Sequence, residues 1–332
     1  MSAKRATAIA SPNIAFIKYW GNRDPALRLP ANASLSMTLA GLQTKTTVIF
    51  DNTRDADQVE IDDKPASEKA ASRVSLHLDL IRTFSGNPDF ASVHSQSNFP
   101  AGAGIASSAS AFAALTAAAS AASGLDLDQK QLSILSRRGS GSAARSIFGG
   151  FVQLFSGEAN EDAFADQLAP ANHWQLVDLI AVIKKEHKST GSSDGHLLAP
   201  TSPIQAARVE DAPRRLEICI NAIMKKNFKS FAQIVEQDSN LMHSVMMTSN
   251  PPLFYLEPQS INIMNHVIRW RESGLEVCYT IDAGPNVHCI CTSDDSIEVE
   301  RRLRSIEGVL EVFRCPPGNG VALTANNEHT PQ

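Results

Sequence analysis

The sequence predicts an α+β protein. Strand-like and helical stretches interleave without a strict strand–helix–strand rhythm, two small-residue loops run directly into helices, and 332 residues at 43% apolar content suffice for two domains. Residues 6–17 and 34–50 alternate apolar and polar positions with many β-branched types, the pattern of strands. The turn-rich segment 19–32 between them holds Gly21, Asn22, Asp24 and two prolines. Residues 65–85 carry helical spacing (Val74, Leu76, Leu78, Leu80, Ile81), and 91–98 resemble a short strand. A helix over about 106–123 is almost all Ala and Ser, with Phe112 and Leu115 on one face. Side chains that small let neighbouring backbone come close, which predicts a buried central helix stopped by Gly124. A second helix follows over 128–138, then a small-residue loop over 139–146 and an apolar strand over 151–155. Residues 176–183 form a buried-strand run. The polar, Gly/Ser-rich stretch 186–195 reads as a mobile loop and marks the domain change, giving 1–185 and 186–332. The second half reads as helices over 203–224, 227–247 and 258–273, strands over 275–282 and 286–293, a helix over 295–306 and a strand over 308–314. The last 15 residues are polar and expected to fray.

Composition narrows the function. A net charge of −5 with 20% charged residues implies no basic face, which argues against nucleic acid while leaving room for a local cluster of cations. The five cysteines (219, 278, 289, 291, 315) are odd in number and lack CxxC spacing, so they read as buried thiols in a reducing cytosol, with Cys289 and Cys291 on one side of a strand. There is no apolar signal segment and no run near the ~18 apolar residues of a membrane span, so a soluble cytoplasmic protein is expected. The histidines show no metal-binding spacing and read as structural or surface; Met242, Met246 and Met247 fit a core-facing helical stripe.

The strongest chemical signal is the loop over 98–110. Glycines at 102 and 104 let backbone approach a ligand, and the free N–H groups of the helix start suit phosphate. Ser107 and Ser108 can cap the helix or reach a phosphate-bound metal. No Gly-Lys-Ser/Thr follows and the G-x-G-x-x-G spacing is absent, so it is neither a Walker A loop nor a dinucleotide fingerprint. Three other residues have both a plain and a chemical reading. Lys18 closes an apolar run and is a snorkelling surface group or a placed cation. Arg145, in the second small-residue loop, is a surface ion-pair partner or a bidentate anion ligand. Asp282, before Ala-Gly-Pro-Asn, forms an Asx turn or stands as a carboxylate at a strand tip.

Four ordered motifs carry a resemblance. The stretch Pro100-Ala-Gly-Ala-Gly104-Ile-Ala-Ser107-Ser108 resembles the phosphate loop of the GHMP kinase superfamily. Ser11-Pro-Asn-Ile-Ala-Phe-Ile-Lys18-Tyr19-Trp20-Gly21, the run from Arg138 to Gly150, and Tyr279-Thr-Ile-Asp282-Ala-Gly-Pro-Asn286 are similar to the signatures of mevalonate diphosphate decarboxylases. The likeness covers about residues 5–315. It implies a two-domain GHMP kinase fold with a ferredoxin-like C-terminal domain, the active site in the cleft between them, and a homodimer. It also implies ATP along Asn98, Pro100, Gly102, Gly104, Ala106, Ser107 and Ser108, with Ser108 near Mg²⁺ and the transferring phosphoryl group. By the same resemblance Asp282 orients the substrate's 3-hydroxyl with Lys18 nearby, and Arg145 holds its carboxylate. Tyr19, Ser140, Gly141 and Ser142, with Arg73, bind its phosphate end. The implied reaction is ATP-dependent decarboxylation of a 5-phosphorylated mevalonate in isoprenoid biosynthesis. The family's turn reads Gly-Lys-Arg-Asp where this chain has Gly21-Asn22-Arg23-Asp24. The missing lysine removes an attraction for a second phosphate, so mevalonate 5-phosphate is the expected substrate, with mevalonate 5-diphosphate the alternative. A mevalonate 3-kinase and an inactive GHMP-like binding protein rank below both, because Lys18, Asp282, Ser107 and Ser108 are all present.

Overall fold

The computed structural model describes residues 4–99, 107–185 and 191–324, and the fold is mixed α+β as expected. Among the described residues, one sheet orders its strands Ala322–Leu323, Lys4–Ala10, Thr44–Asp51, Phe90–Ser97, Gln58–Ile61 and Lys64–Pro65. A second sheet orders Ala165–Ala169, Phe151–Leu154, Ser34–Thr38 and Asn13–Ile17. A third, antiparallel throughout, orders Val277–Thr280, Val287–Thr292, Leu176–Val182 and Glu311–Cys315.

The Ala/Ser helix Ser107–Ala122 lies against the strands Lys4–Ala10 and Thr44–Asp51. Ala113, Ala114, Ala117 and Ala118 share a core with Ala6, Ala8 and Ala10 of the facing strand, so each surface is kept shallow by the other. A larger side chain at such a contact typically costs about 1–3 kcal/mol in overpacking.

The strand Leu176–Val182 is buried along its whole length because both faces of its sheet are covered. Val177, Leu179 and Ala181 meet the helices Pro258–Glu272 and Ser296–Arg304 through Ile263, Val267, Val299 and Leu303. Leu176, Ile180 and Val182 join Cys219, Phe231 and Ile234 of the helices Ala212–Met224 and Phe228–Met247. That second cluster also takes in Ile14, Phe16, Leu35, Met37 and Phe151 from the first half, so one core runs through both.

Several expectations change. The strand over 6–17 breaks at Ser11-Pro12, and its two parts enter different sheets, because Pro12 has no N–H for a continuous ladder. The run 34–50 breaks around Gly41, which turns at φ +87°. The helix over 203–224 divides at Asp211, with Pro213 in the first turn of the second piece, where its missing N–H does no harm. Pairing does not respect the 185/186 boundary: Leu176–Val182 belongs to the third sheet, while Ala322–Leu323 returns to the first. That return also corrects the fraying expected for the last 15 residues, at least as far as Thr324, whose N–H donates to the Thr7 carbonyl. In the helix Glu68–Ser85, Leu78 and Ile81 are buried as expected but Leu76 is 65% exposed and His77 takes the inward place. All five cysteines are buried and free, Cys289 and Cys291 in one cluster. Met242 and Met246 are core residues, and Met247 is exposed.

Two buried histidines give the fold a pH dependence. His77 donates from Nε2 to the Thr116 hydroxyl (2.8 Å), which itself donates to the Phe112 carbonyl (2.6 Å). Burial, reinforced by Arg138, Arg28 and Arg73, holds its pKa down to about 3. His243 donates to the Ile281 carbonyl (3.2 Å), and burial holds it down to about 4. Both folded values lie below the unfolded one, so the unfolded chain takes protons first as pH falls through 6.5. Between pH 7 and pH 5 the two together should remove about 3–4 kcal/mol of stability. Urea unfolding at the two pH values checks this; equal free energies would mean that the rings accept protons inside the fold.

Candidate active site

Lys18 follows the strand Asn13–Ile17, and Asp282 follows the strand Val277–Thr280 two residues on. Their side chains meet: Lys18 Nζ donates to Asp282 Oδ1 at 2.6 Å. The lysine is 1% exposed and the carboxylate 26%, so the cation is buried and the anion faces the cavity. Burial pushes the Asp282 carboxyl up, but Lys18, His288 and Arg145 outweigh it and hold the pKa below the ordinary value. The lysine is thus a placed cation, not a surface group. The turn after Asp282 is fixed by other groups: Gly284 N–H donates to the Asp282 carbonyl (2.7 Å), and Asn286 Oδ1 accepts from Ile183 and Lys184.

One face of the helix Phe228–Met247 braces both partners. Asp238 Oδ1 accepts the Lys18 backbone N–H (2.7 Å). The next residue, Ser239, accepts the Ile281 N–H on its Oγ (3.0 Å), and one turn further His243 holds the Ile281 carbonyl. Asn32 and Arg208 donate to the Lys18 carbonyl (3.0 and 2.8 Å). Arg215 donates to the other Asp238 oxygen at 2.7 Å, and this pair is fully buried.

Arg145, buried on the short helix Ala143–Ser146, donates from Nε to Asn13 Oδ1 (3.1 Å) and from Nη1 to Ser34 Oγ (2.8 Å). Burial brings its pKa down to about 10 against the pull of Asp282 and Tyr19, so it keeps its charge. Asn13 Nδ2 donates to Ser146 Oγ and the Ser142 carbonyl, binding this loop to the strand that leads to Lys18. The hydroxyls of Ser108, Ser140 and Ser142 form a chain at 3.2 and 3.4 Å. Gly141 admits the Tyr19 ring: a Cβ there would stand 2.1 Å from Tyr19 Cε1. The Tyr19 hydroxyl donates to Asn22 Oδ1, and burial pushes its pKa up to about 12.

These parts line one cavity of about 280 Å³. Of the residues singled out from the sequence, Lys18, Tyr19, Arg73, Ser107, Ser108, Ser140, Gly141, Ser142, Arg145 and Asp282 all face it. Asn98 does not; its side chain is engaged with Gln43 N–H and the Gly41 carbonyl (2.8 and 2.9 Å). Pro100, Gly102, Gly104 and Ala106 lie outside the described residues, as do 186–190 of the loop expected to be mobile. Sequence reasoning missed Arg28, Lys69 and His196, which also line the cavity; residues 191–194, from the stretch expected to be a loop, line it too, but Gly191 caps and Ser192 opens the helix Ser192–Leu198. Arg28 sits in a turn with no motif around it. His196 was read as structural or surface, yet its ring lies 4.5 Å from Tyr19 and 4.6 Å from Trp20, and its Nδ1 accepts the Gly21 N–H. A second, more apolar cavity shares Arg73, Ser107 and Ser108 and is walled by Val59, Val74, Phe112 and Leu115. Among the described residues no cluster of three His, Cys, Asp or Glu could hold a metal, and no helix is long and apolar enough to cross a membrane.

Comparison with known proteins gives a consistent result. Residues 10–165 match the diphosphomevalonate decarboxylase-like N-terminal domain, and residues 178–313 match the mevalonate 5-diphosphate decarboxylase C-terminal domain. The human diphosphomevalonate decarboxylase is 38% identical over 88% of this chain and 77% of its own length; that of Candida albicans is 38% identical over 85% and 82%. The crystal structure of mevalonate diphosphate decarboxylase from Staphylococcus aureus superposes with a TM-score of 0.92 at 33% identity, covering 97% of this chain and 98% of that one. A complex of MDDEF with MVAPP, AMPPCP and magnesium superposes at 0.91 and 36% identity, covering 97% and 99%. With both halves matched and the paired Lys18–Asp282 site in place, the chain belongs to the diphosphomevalonate decarboxylase family of the GHMP kinase superfamily, a family of ATP-dependent carboxy-lyases.

Proposed function

We propose that this chain converts mevalonate 5-diphosphate to isopentenyl diphosphate, consuming ATP and releasing ADP, phosphate and CO₂. One observation carries the reading: a buried Lys18–Asp282 pair stands in the same cavity as Arg28, Lys69, Arg73 and Arg145, a small acidic centre within a cationic lining. The monophosphate expected from Asn22 gives way to the diphosphate. That expectation counted a single uncharged residue, whereas the cavity holds cations far from it in sequence, and the named relatives are diphosphate enzymes.

In this reading Arg145 holds the substrate carboxylate, and Tyr19, Ser140, Gly141, Ser142 and Arg73 hold its phosphate end. The apolar second cavity takes the nucleotide base, and Ser107 and Ser108 meet the phosphates where the two cavities join. The donors suit magnesium held mainly by phosphate oxygens and water, since hydroxyls abound and the central carboxylate is engaged by Lys18. Ser108 would be its protein ligand, and such an ion would supply charge neutralisation at the transferring phosphoryl group.

Asp282 orients the 3-hydroxyl and takes its proton as that oxygen bonds to the γ-phosphorus and the bond from that phosphorus to the bridging oxygen breaks, releasing ADP. A carboxylate kept below its ordinary pKa is a weak base, which suffices for a loose phosphoryl transition state that mainly requires alignment. The C3–O bond then breaks, and phosphate leaves with the proton that Asp282 returns to it, so the aspartate is a carboxylate again. Positive character at C3 faces the Asp282 carboxylate, and the electrons of the bond to the carboxylate carbon form the double bond as CO₂ departs. Arg145, tied through two of its nitrogens, fixes the departing carboxylate. The reading includes a homodimer in the cytosol, where five buried, unpaired thiols are at home.

The test is ADP and CO₂ release with each phosphorylated mevalonate in parallel. The diphosphate should show at least about tenfold higher kcat/KM, the worth of one charge-assisted contact. Preference for the monophosphate, or ADP without CO₂, overturns the reading.

A further inference from the structure

We propose that Arg28 is the residue that selects for the second phosphate of the substrate. This rests on the diphosphate reading above and adds to it the group that recognises the terminal phosphate.

Arg28 sits in the turn that joins the short strands Asn22–Asp24 and Leu29–Pro30. Its backbone is left-handed, at φ +50°, a conformation that L side chains other than Asn and Asp seldom adopt. The turn therefore carries an arginine where glycine would be easier, and strain of this kind gathers at functional positions. The side chain is half-buried and lines the cavity. Its Nη1 lies 3.5 Å from the Oγ of Ser193, which lines the same cavity.

The neighbouring groups leave this arginine a distinct role. Asn22, on the same hairpin, is uncharged and accepts from the Tyr19 hydroxyl. Lys69 is paired with Asp194 at 3.3 Å. Arg73 donates to the Gly139 carbonyl at 3.2 Å and lies 5.0 Å from the centre of the Phe112 ring. Arg28, by contrast, makes no ion pair among the described residues, and its charge bears on Tyr19, Arg73 and His77 around it. A planar guanidinium that lines the cavity and has no carboxylate partner among the described residues fits a phosphate bidentately. Arg145 and the Lys18–Asp282 pair hold the acid and its hydroxyl, so Arg28 is left to meet the far end of the chain of phosphates.

The experiment compares wild type, Arg28→Ala and Arg28→Lys as full chains with mevalonate 5-diphosphate, mevalonate 5-phosphate and ATP as varied substrates. In Arg28→Ala, KM for the diphosphate should rise about tenfold or more, while kcat/KM for the monophosphate changes less than about threefold. KM for ATP should stay within about twofold, and Arg28→Lys should recover part of the loss. An unchanged ratio between the two mevalonates, or an equal rise in KM for ATP, overturns the role of Arg28 while leaving the diphosphate reading intact. A wild-type preference for the monophosphate instead removes that reading, and this inference with it. Because Arg28 is half-buried and on a strained turn, Arg28→Ala should melt within a few degrees of wild type, which separates recognition from folding.

Discussion

Asp282→Asn should lower kcat by about three to four powers of ten and leave the affinity for ATP within a few fold. Asparagine keeps the shape of the side chain but offers neither a proton acceptor for the 3-hydroxyl nor a negative charge for C3. The same change leaves Lys18 buried, at 1% exposure, without its counterion. An uncompensated buried charge costs about 3 kcal/mol, so the single variant should also be less stable in urea. Lys18→Met with Asp282→Asn should restore most of that stability while leaving turnover at the background, since Met replaces the lysine stem with similar volume. Stopped-flow or steady-state CO₂ release and urea titration separate the two effects. Turnover within tenfold of wild type in Asp282→Asn refutes the assigned role.

The second large effect lies behind the pair. Asp238→Ala removes the acceptor of the Lys18 N–H and leaves Arg215 and Arg208 buried without their shared carboxylate. The loss should be about 3–5 kcal/mol of unfolding free energy, the usual penalty for breaking a buried ion pair from one side. Turnover should fall too, because the Lys18 backbone is then held only at its carbonyl by Asn32 and Arg208. Asp238→Asn keeps an acceptor for Lys18 and should recover more turnover than stability. A drop below about 1 kcal/mol in Asp238→Ala would show that the network does not clamp Lys18.

The parts legible in the sequence were those set by local chemistry. The helix Ser107–Ala122 and the small-residue stretch leading into the helix Ala143–Ser146 announce themselves through Gly, Ala and Ser, and Lys18, Arg145 and Asp282 through the motifs around them. The residues that make those groups work did not announce themselves. Asp238, Arg215 and Arg208 lie on helices whose apolar spacing predicts only a core face, and their pairing depends on helix-to-strand contacts 220 and 190 residues apart in sequence. Arg28 was hidden for another reason: a turn reads as a turn, and nothing in its composition says which way a long side chain reaches. The sheet that Leu176–Val182 joins was not legible either, because a fully buried strand looks the same from sequence whichever sheet buries it.

Because Asp238, Ser239 and His243 project from adjoining turns of one helix, the Lys18–Asp282 pair is registered to a single rigid rod. Rotation or slippage of that rod would displace the lysine and the aspartate together, so neither can be retuned alone. Change is therefore channelled to the hairpin bearing Arg28 and the segment with Ser193, which line the same cavity without bracing that pair.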